Sequence, residues 1–412
     1  MEQETKNKIK ETRRLTKEKH KNLQVCSYEL KVDLAHCNKI QKESLKMYFI
    51  EGRQLYNYLV SLNDPFKFNT KNKTISIKKE DKLIEKELKF LPAKLRQNVH
   101  RSFIQNILNL SKKKKGNKVG KLKFKSNYNS IELDNQCFEI KCKSIRLAGI
   151  KKPFKVFGLN QIKPEYEIAN AKLIKKASGY YIKVTCYKEK DKITHTGKSI
   201  GLDMGIKTTL TTSDGDKFNV VVGEPESLKR LQRKLARQKK TSNNYHKIRL
   251  KIQKNYEYIK NMKKDQANKI VHFLKTEYDF IYMQDENLKG WQKSLFGKQV
   301  QHSILGTLKS KFLLLEKTKV IPRNYASTKI CYQCGTFNDI PLSARTYSCS
   351  CGLTEDRDVK ASKTILFHGQ EIYRVPKEFR EFKPVENETS GGFIKLNTLS
   401  FCSMKQEADL VQ

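Results

Sequence analysis

The chain has 412 residues, enough to bury more than one hydrophobic core, so two to three domains are expected. Lys and Arg number 84 against 43 Asp and Glu, a formal net charge of +41 that exceeds what solubility needs and points to a polyphosphate partner. No run of about 18 apolar residues exists, which excludes a membrane-spanning helix, and the polar, lysine-rich start leaves no secretory signal expected.

Residues 1–23 are almost wholly polar and charged and are expected to form a basic arm, disordered until it meets nucleic acid. Over 24–38, Val25-Cys-Ser-Tyr-Glu-Leu-Lys-Val-Asp-Leu alternates as a strand. Residues 39–115 read as helical, with Leu45, Phe49, Gly52, Tyr56 and Leu59 at three- and four-residue steps. A second helix around Leu95 to Leu110 stops at Ser111-Lys-Lys-Lys-Lys-Gly116. There Lys112, Lys113, Lys114 and Lys115 are candidate nucleic-acid contacts, or else a solvated loop. Residues 116–190 change to short β-like segments separated by turn residues, which predicts a small antiparallel barrel or sandwich. The strand near Val25 would complete it across the helical insertion. The polar stretch from Lys188 to Lys198 reads as a linker.

A new domain is expected over 198–330. Ser199-Ile-Gly-Leu-Asp203-Met-Gly-Ile is an apolar strand carrying one acid, returned as a hairpin by Ser213-Asp-Gly-Asp. An acid inside an apolar strand is costly unless paired or bound to metal. Gly201 and Gly205 are expected to leave space beside it for a phosphate or ion, although an aspartate that caps a turn would give the same local pattern. A basic helical hairpin follows over 224–275, broken at Thr241-Ser-Asn-Asn. Phe280-Ile-Tyr-Met-Gln-Asp285-Glu286 is a second apolar strand that ends in acids. A helix near Val300 to Leu315 and a strand at Lys319-Val-Ile-Pro come next.

Cys331-Tyr-Gln-Cys334-Gly and Cys349-Ser-Cys351-Gly then place four thiols in two close pairs, predicting a zinc ribbon over 331–352. Gly335 and Gly352 would relieve the tight turn that each knuckle needs. The alternative is four thiols packed as small hydrophobes. Ten cysteines in a chain without an export signal fit a reducing cytoplasm. The final helix, 353–368, begins at Glu355-Asp-Arg-Asp358. Asp358 shares a face with Ala361, Ser362 and Ile365 and should point toward a sheet, while Asp356, about 200° away, is the N-cap candidate. Residues 369–412, with Pro376, Pro384 and Gly391-Gly392, are expected to be a flexible tail dispensable for activity.

One acid on a first strand, one at the end of a later strand and one at the start of a last helix can together hold two divalent ions about 3.5–4 Å apart for phosphodiester hydrolysis. Magnesium suits such a set, because it binds few carboxylates and keeps its waters for the substrate.

Gly-Leu-Asp203-Met-Gly, Gln-Asp-Glu286-Asn-Leu-Lys-Gly, the double Cys knuckle and Asp-Arg-Asp358-Val-Lys-Ala resemble the RuvC-type nuclease of TnpB proteins, transposon-encoded RNA-guided nucleases related to miniature type V CRISPR effectors. The resemblance covers most of residues 25–368. It implies a multidomain α+β fold: a wedge-like β-barrel with a helical recognition insertion, and an RNase H-like (RuvC) α/β domain with an inserted zinc ribbon. It implies Asp203, Glu286 and Asp358 as catalytic magnesium ligands, and Cys331, Cys334, Cys349 and Cys351 as ligands of one structural zinc. It also implies a guide RNA and target double-stranded DNA as partners of a monomer or homodimer in a prokaryotic cytoplasm, at the nucleoid. Three departures stand out. Gln284 occupies the position where the family usually has its second acid, so that Glu286 serves from two residues downstream, or Asp285 does, or the second site is lost. The second knuckle is short, and Lys360 and Ser362 replace the commoner Asn and Ala. A guided repressor without cleavage and a strand-transfer transposase on the same core are the competing readings; the first turns on Gln284, and the second would ordinarily run Asp, Asp, Glu without a ribbon before its last acid.

Overall fold

The structure is a computed structural model that describes residues 2–79, 82–112, 120–190, 196–341 and 343–373. The chain divides into two compact units, Met1–Lys192 and Ile193–Gln412.

The first unit opens with helix α1 (Glu2–Lys21), so the arm expected to be disordered is helical. Its Lys, Glu and Arg content favours a helix and includes no Gly or Pro. Its end is tied down, with Lys19 Nζ and His20 Nε2 lying 2.7 and 3.0 Å from the Glu167 carboxylate and His20 stacked on Tyr187. Strand β1 (Leu23–Val32), helix α2 (Lys39–Ser61), the hairpin β2 (Thr74–Lys79) and β3 (Lys82–Glu87), and helix α3 (Ala93–Lys112) follow. The two helices stand in the segment expected to be helical over 39–115, and the hairpin between them is an addition to that expectation. Strands β4 (Ser130–Leu133), β5 (Phe138–Lys141), β6 (Ser144–Leu147), β7 (Phe154–Phe157), β8 (Glu167–Lys176) and β9 (Gly179–Glu189) complete the unit. Among the described residues, seven strands form one antiparallel barrel-like sheet in the order β4-β8-β9-β1-β7-β6-β5. β1 sits inside it, paired with β9 from Leu23↔Glu189 to Lys31↔Tyr181 and with β7 at Val32↔Val156. Period-two alternation sends Leu30, Val32, Ile182, Val184 and Cys186 into one core, which α2 closes with Leu45, Phe49 and Leu55 and α3 with Leu95 and Val99. α2 starts at a capping box in which Asn38 Oδ1 accepts the Gln41 N–H and Gln41 Oε1 accepts the Asn38 N–H.

In the second unit β10 (Ser199–Asp203), β11 (Leu210–Thr212) and β12 (Lys217–Phe218) form an antiparallel meander. After α4 (Glu226–Ala236) and α5 (Asn243–Glu277), β13 (Phe280–Gln284) pairs parallel with β10. A short helix α6 (Leu288–Lys293) follows, and two helices, α7 (Gly297–His302) and α8 (Leu305–Phe312), stand where one is expected over 300–315. β14 (Thr318–Ile321) then pairs parallel with β13, giving the order β12-β11-β10-β13-β14. The hairpin β15 (Thr346–Ser348) and β16 (Thr354–Asp356) leads into α9 (Arg357–Ile372). Ile200, Leu202, Ile281 and Met283 pack one sheet face against Ala267, Ile270 and Leu274 of α5 and Leu305, Leu308 and Phe312 of α8. Tyr282 and Ile321 meet Ile365 and Leu366 of α9 on the other. α9 outlasts the helix expected to stop at 368: Gly369 and Gln370 are buried and the Tyr373 hydroxyl donates to Val320 O. The rest of the expected tail lies outside the described residues, as do Lys113, Lys114 and Lys115; Lys112 is exposed at the end of α3. Among the described residues no helix is long and apolar enough to cross a membrane.

Candidate active site and cysteine cluster

Alternation along β10 sends Ile200 and Leu202 into the α5 and α8 core, and Gly201 and Asp203 toward α9. A Cβ on Gly201 would lie 2.0 Å from Ser362 O and 2.8 Å from the Leu366 backbone nitrogen. Gly201 therefore exists for close packing of helix on strand, which corrects the expectation that it leaves room for an ion. At Gly205 a Cβ would lie 2.8 Å from Thr208 O in the same turn, while the residue itself lines an open groove beside Asp358. A step of two residues on a strand and of four on a helix are both about 6 Å. Gly201 against Ser362 thus sets Asp203 against Asp358.

The electrostatics record that meeting. Burial, the charge of Asp358 and the charge of Glu286, in that order, push the Asp203 carboxyl up to about 7. Glu286 is likewise raised, by burial above all. Asp358 lies in the first turn of α9, where the Asp356 carboxylate caps the helix by accepting the N–H groups of Asp358 and Val359. Arg345 and Arg357 stand 3.8 and 3.7 Å from the Asp358 carboxylate.

Asp285 and Gln284 are used differently. Asp285 forms ion pairs with Lys309 at 2.5 Å and Arg323 at 2.7 Å, which hold its carboxyl below the usual range. Lys309 also donates to Glu286 O and so fixes the turn. Buried Gln284 donates its amide hydrogens toward the carbonyls of Pro322, Arg323 and Tyr325 at 3.3, 2.9 and 2.6 Å and accepts from the Ser327 hydroxyl at 2.9 Å. Strand β13 ends at Gln284, and Glu286 lies in the turn beyond it, near enough for its charge to add to the rise of the Asp203 carboxyl.

The four cysteines come together. Sγ of Cys331 is 3.7 Å from that of Cys351, Sγ of Cys334 is 3.5 Å from that of Cys349, and all four lie within 4.8 Å of one another. A tetrahedron with metal–sulfur bonds of about 2.3 Å has edges of about 3.8 Å, so the quartet fits a zinc-sized ion. Gly335 and Gly352 turn each knuckle at φ 75° and 93°. Burial pushes the Cys331 thiol up to about 12, so a full set of thiolates calls for a cation beside it. Among the described residues this is the one group of metal-ligating side chains drawn so close, and Asp203, Glu286 and Asp358 do not form such a group. Lys360, buried in α9, donates to Ser327 O at 3.0 Å and lies 3.8 Å over the Tyr347 ring, with burial pulling its pKa down to about 7. Gln284, Ser327 and Lys360 thus chain the end of β13, the loop into the cysteines and helix α9.

Comparison with known families agrees with these motifs. Residues 181–293 match the family described as OrfB_IS605, "Probable transposase", and residues 308–365 match "Cas12f1-like, TNB domain". A "Putative RNA-guided DNA endonuclease" of Streptomyces pristinaespiralis is 28% identical over 207 residues, 47% of this chain and 51% of that protein. The "Putative RNA-guided DNA endonuclease InsQ" of Escherichia coli is 26% identical over 247 residues, 54% of this chain and 61% of that protein. The chain is TnpB-like. It spans about half the length of these curated relatives, 51% and 61%. A solved chain titled "Cryo-EM structure of the Cas12f1-sgRNA-target DNA complex" aligns over 84% of this chain and 99% of its own, with a TM-score of 0.46 and 12% identity, a likeness too slight to bear on the site.

Sequence reasoning missed Arg345 and Arg357 beside Asp358, and Lys309 and Arg323 on Asp285. Arg357 lies inside the Asp-Arg-Asp motif and was within reach of local reading. The other three come from distant loops and helices, and no local pattern marks them.

Proposed function

We propose that this TnpB-like protein is an RNA-guided DNA endonuclease, with Asp203, Glu286 and Asp358 as its magnesium ligands and a zinc ion in the cysteine quartet. The first unit is then the wedge-like barrel with its recognition insertion, which holds guide RNA, and the second the RNase H-like nuclease, acting in the cytoplasm at the nucleoid. The observation that carries the reading is the close packing of Gly201 on Ser362, which sets Asp203 against Asp358; the charges of Asp358 and Glu286 both push the Asp203 carboxyl up, and acids held together at a cost in charge repulsion suit a divalent cation. Three antiparallel strands extended by two parallel ones support the RNase H-like assignment.

Asp203, Glu286 and Asp358 would hold magnesium, which would supply an activated water and steady the leaving oxygen of the scissile phosphodiester. Lys309 and Arg323 neutralise Asp285, leaving Glu286 as the acid of its turn that faces Asp203. Arg345 and Arg357 can carry the phosphate that approaches Asp358.

Guided cleavage by protein purified with its RNA tests this. Asp203→Ala, Glu286→Ala and Asp358→Ala are each expected to abolish magnesium-dependent cutting with target binding retained, and the wild type to contain one zinc per chain. Wild-type protein that binds guided DNA but cuts with neither magnesium nor manganese would make it a guided repressor instead.

A further inference from the structure

We propose that a groove in the second unit is a stacking site for one unpaired nucleic-acid strand, in which Trp291 and Phe296 receive the bases while basic side chains hold the phosphates. This deepens the nuclease reading, because Asp358 lies in the same groove, but its test reads binding alone.

The groove has a volume of about 1010 Å³ and is lined by Trp291, Phe296 and Lys298 on one side and by Lys207, Arg345 and Arg357 on others. Lys229 adds a further cation; Glu224 and Asp358 are the carboxylates that face it. Cations therefore outnumber acids along its walls, as a phosphate chain requires. A groove for phosphates alone needs no aromatics. Here Trp291 is anchored, packed against the core of α5 and α8 and mounted on α6, which Asn287 caps by accepting the Gly290 N–H. Phe296 is 53% exposed and its neighbour Leu295 wholly so. Large apolar faces left beside lysines and arginines suit a ligand that alternates flat rings with negative charge, and base stacking on aromatics is the usual sequence-tolerant way to hold one. A duplex keeps its base faces stacked inside, so the fitting occupant is unpaired.

Trp291 is the only tryptophan in the chain, so its emission reports this groove and nothing else. Full-length protein washed free of nucleic acid at high salt is titrated, without added magnesium, with an oligothymidylate of about ten nucleotides and with an abasic oligonucleotide of the same length. Oligothymidylate is expected to quench Trp291 and to bind about tenfold more tightly than the abasic strand. Phe296→Ala should remove most of that preference. Trp291→Leu, followed by anisotropy of a labelled strand, should do the same while leaving affinity for the abasic strand unchanged, which distinguishes lost stacking from lost folding. Equal affinities for the two strands, or tight binding with unchanged Trp291 emission, would overturn the proposal even in an active nuclease. Quenching and base preference in a protein that never cuts would uphold it while the nuclease reading failed.

Discussion

Gln284 decides more than the missing acid it replaces. Its amide donates toward three carbonyls and accepts from Ser327, so it serves as a clamp on the 322–327 loop rather than as a failed ligand. A carboxylate there has no hydrogen to donate and would face carbonyl oxygens. Gln284→Glu is therefore expected to lose about 1–3 kcal/mol of stability and to gain no activity; a denaturant midpoint at or above wild type would refute the clamp. Asp203 makes a second prediction through pH. Its folded pKa of about 7 is above the ordinary 3.8. Between these values the folded chain holds a proton that the unfolded chain has released, so stability falls as pH rises through this window and levels off above it. Asp203→Asn should gain on the wild type from pH 5 to pH 8 in thermal melts without divalent ions. An identical difference in melting temperature at both pH values would show that the carboxyl is not strained.

At the scale of elements, Gly201 and α9 set the geometry of the proposed active site. An added methyl at Gly201 would meet the helix backbone at Ser362 O, which cannot swing aside as a side chain would. Gly201→Ala should push α9 off β10, carry Asp358 away from Asp203, cost about 1–3 kcal/mol and lower cleavage far more than target binding. Wild-type cleavage rates would mean that the helix adapts. Much at this scale was legible in the chain, for local reasons: alternation marked β1, β8 and β9, the acid two residues before Asp358 marked the N-cap, and paired cysteines with following glycines marked the knuckles. What stayed hidden depends on remote partners. The role of Gly201 is set by a helix some 160 residues on, and the pairing of Asp285 by Lys309 and Arg323. The β2–β3 hairpin is lysine-rich and buries mainly Ile75, so its alternation is faint. The helix expected over 300–315 breaks because Ser303 turns the chain, its hydroxyl accepting the Leu305 N–H, while the apolar spacing runs on unbroken from Val300 to Phe312.

For the molecule as a whole the dominant quantity is charge. A net +41 over 412 residues is distributed along the chain, and the lysines at 112–115 are one dense run among several. Each phosphate neutralised on a single strand contributes about −0.7 to the slope of log affinity against log salt, because a condensed counterion is released. If all four lysines contact guide RNA, replacing Lys112, Lys113, Lys114 and Lys115 by Ala should reduce the magnitude of that slope by up to about 3 and weaken binding most at low salt. A structural role would act otherwise: Lys112 is exposed at the end of α3, so its loss should leave the thermal melt unmoved. The decisive measurement is a salt series of guide-RNA affinity on wild type and variant. Parallel lines of equal slope would assign this run to solvent and shift the search for phosphate contacts to the basic residues of α4 and α5, where Lys and Arg recur from Lys229 to Lys264.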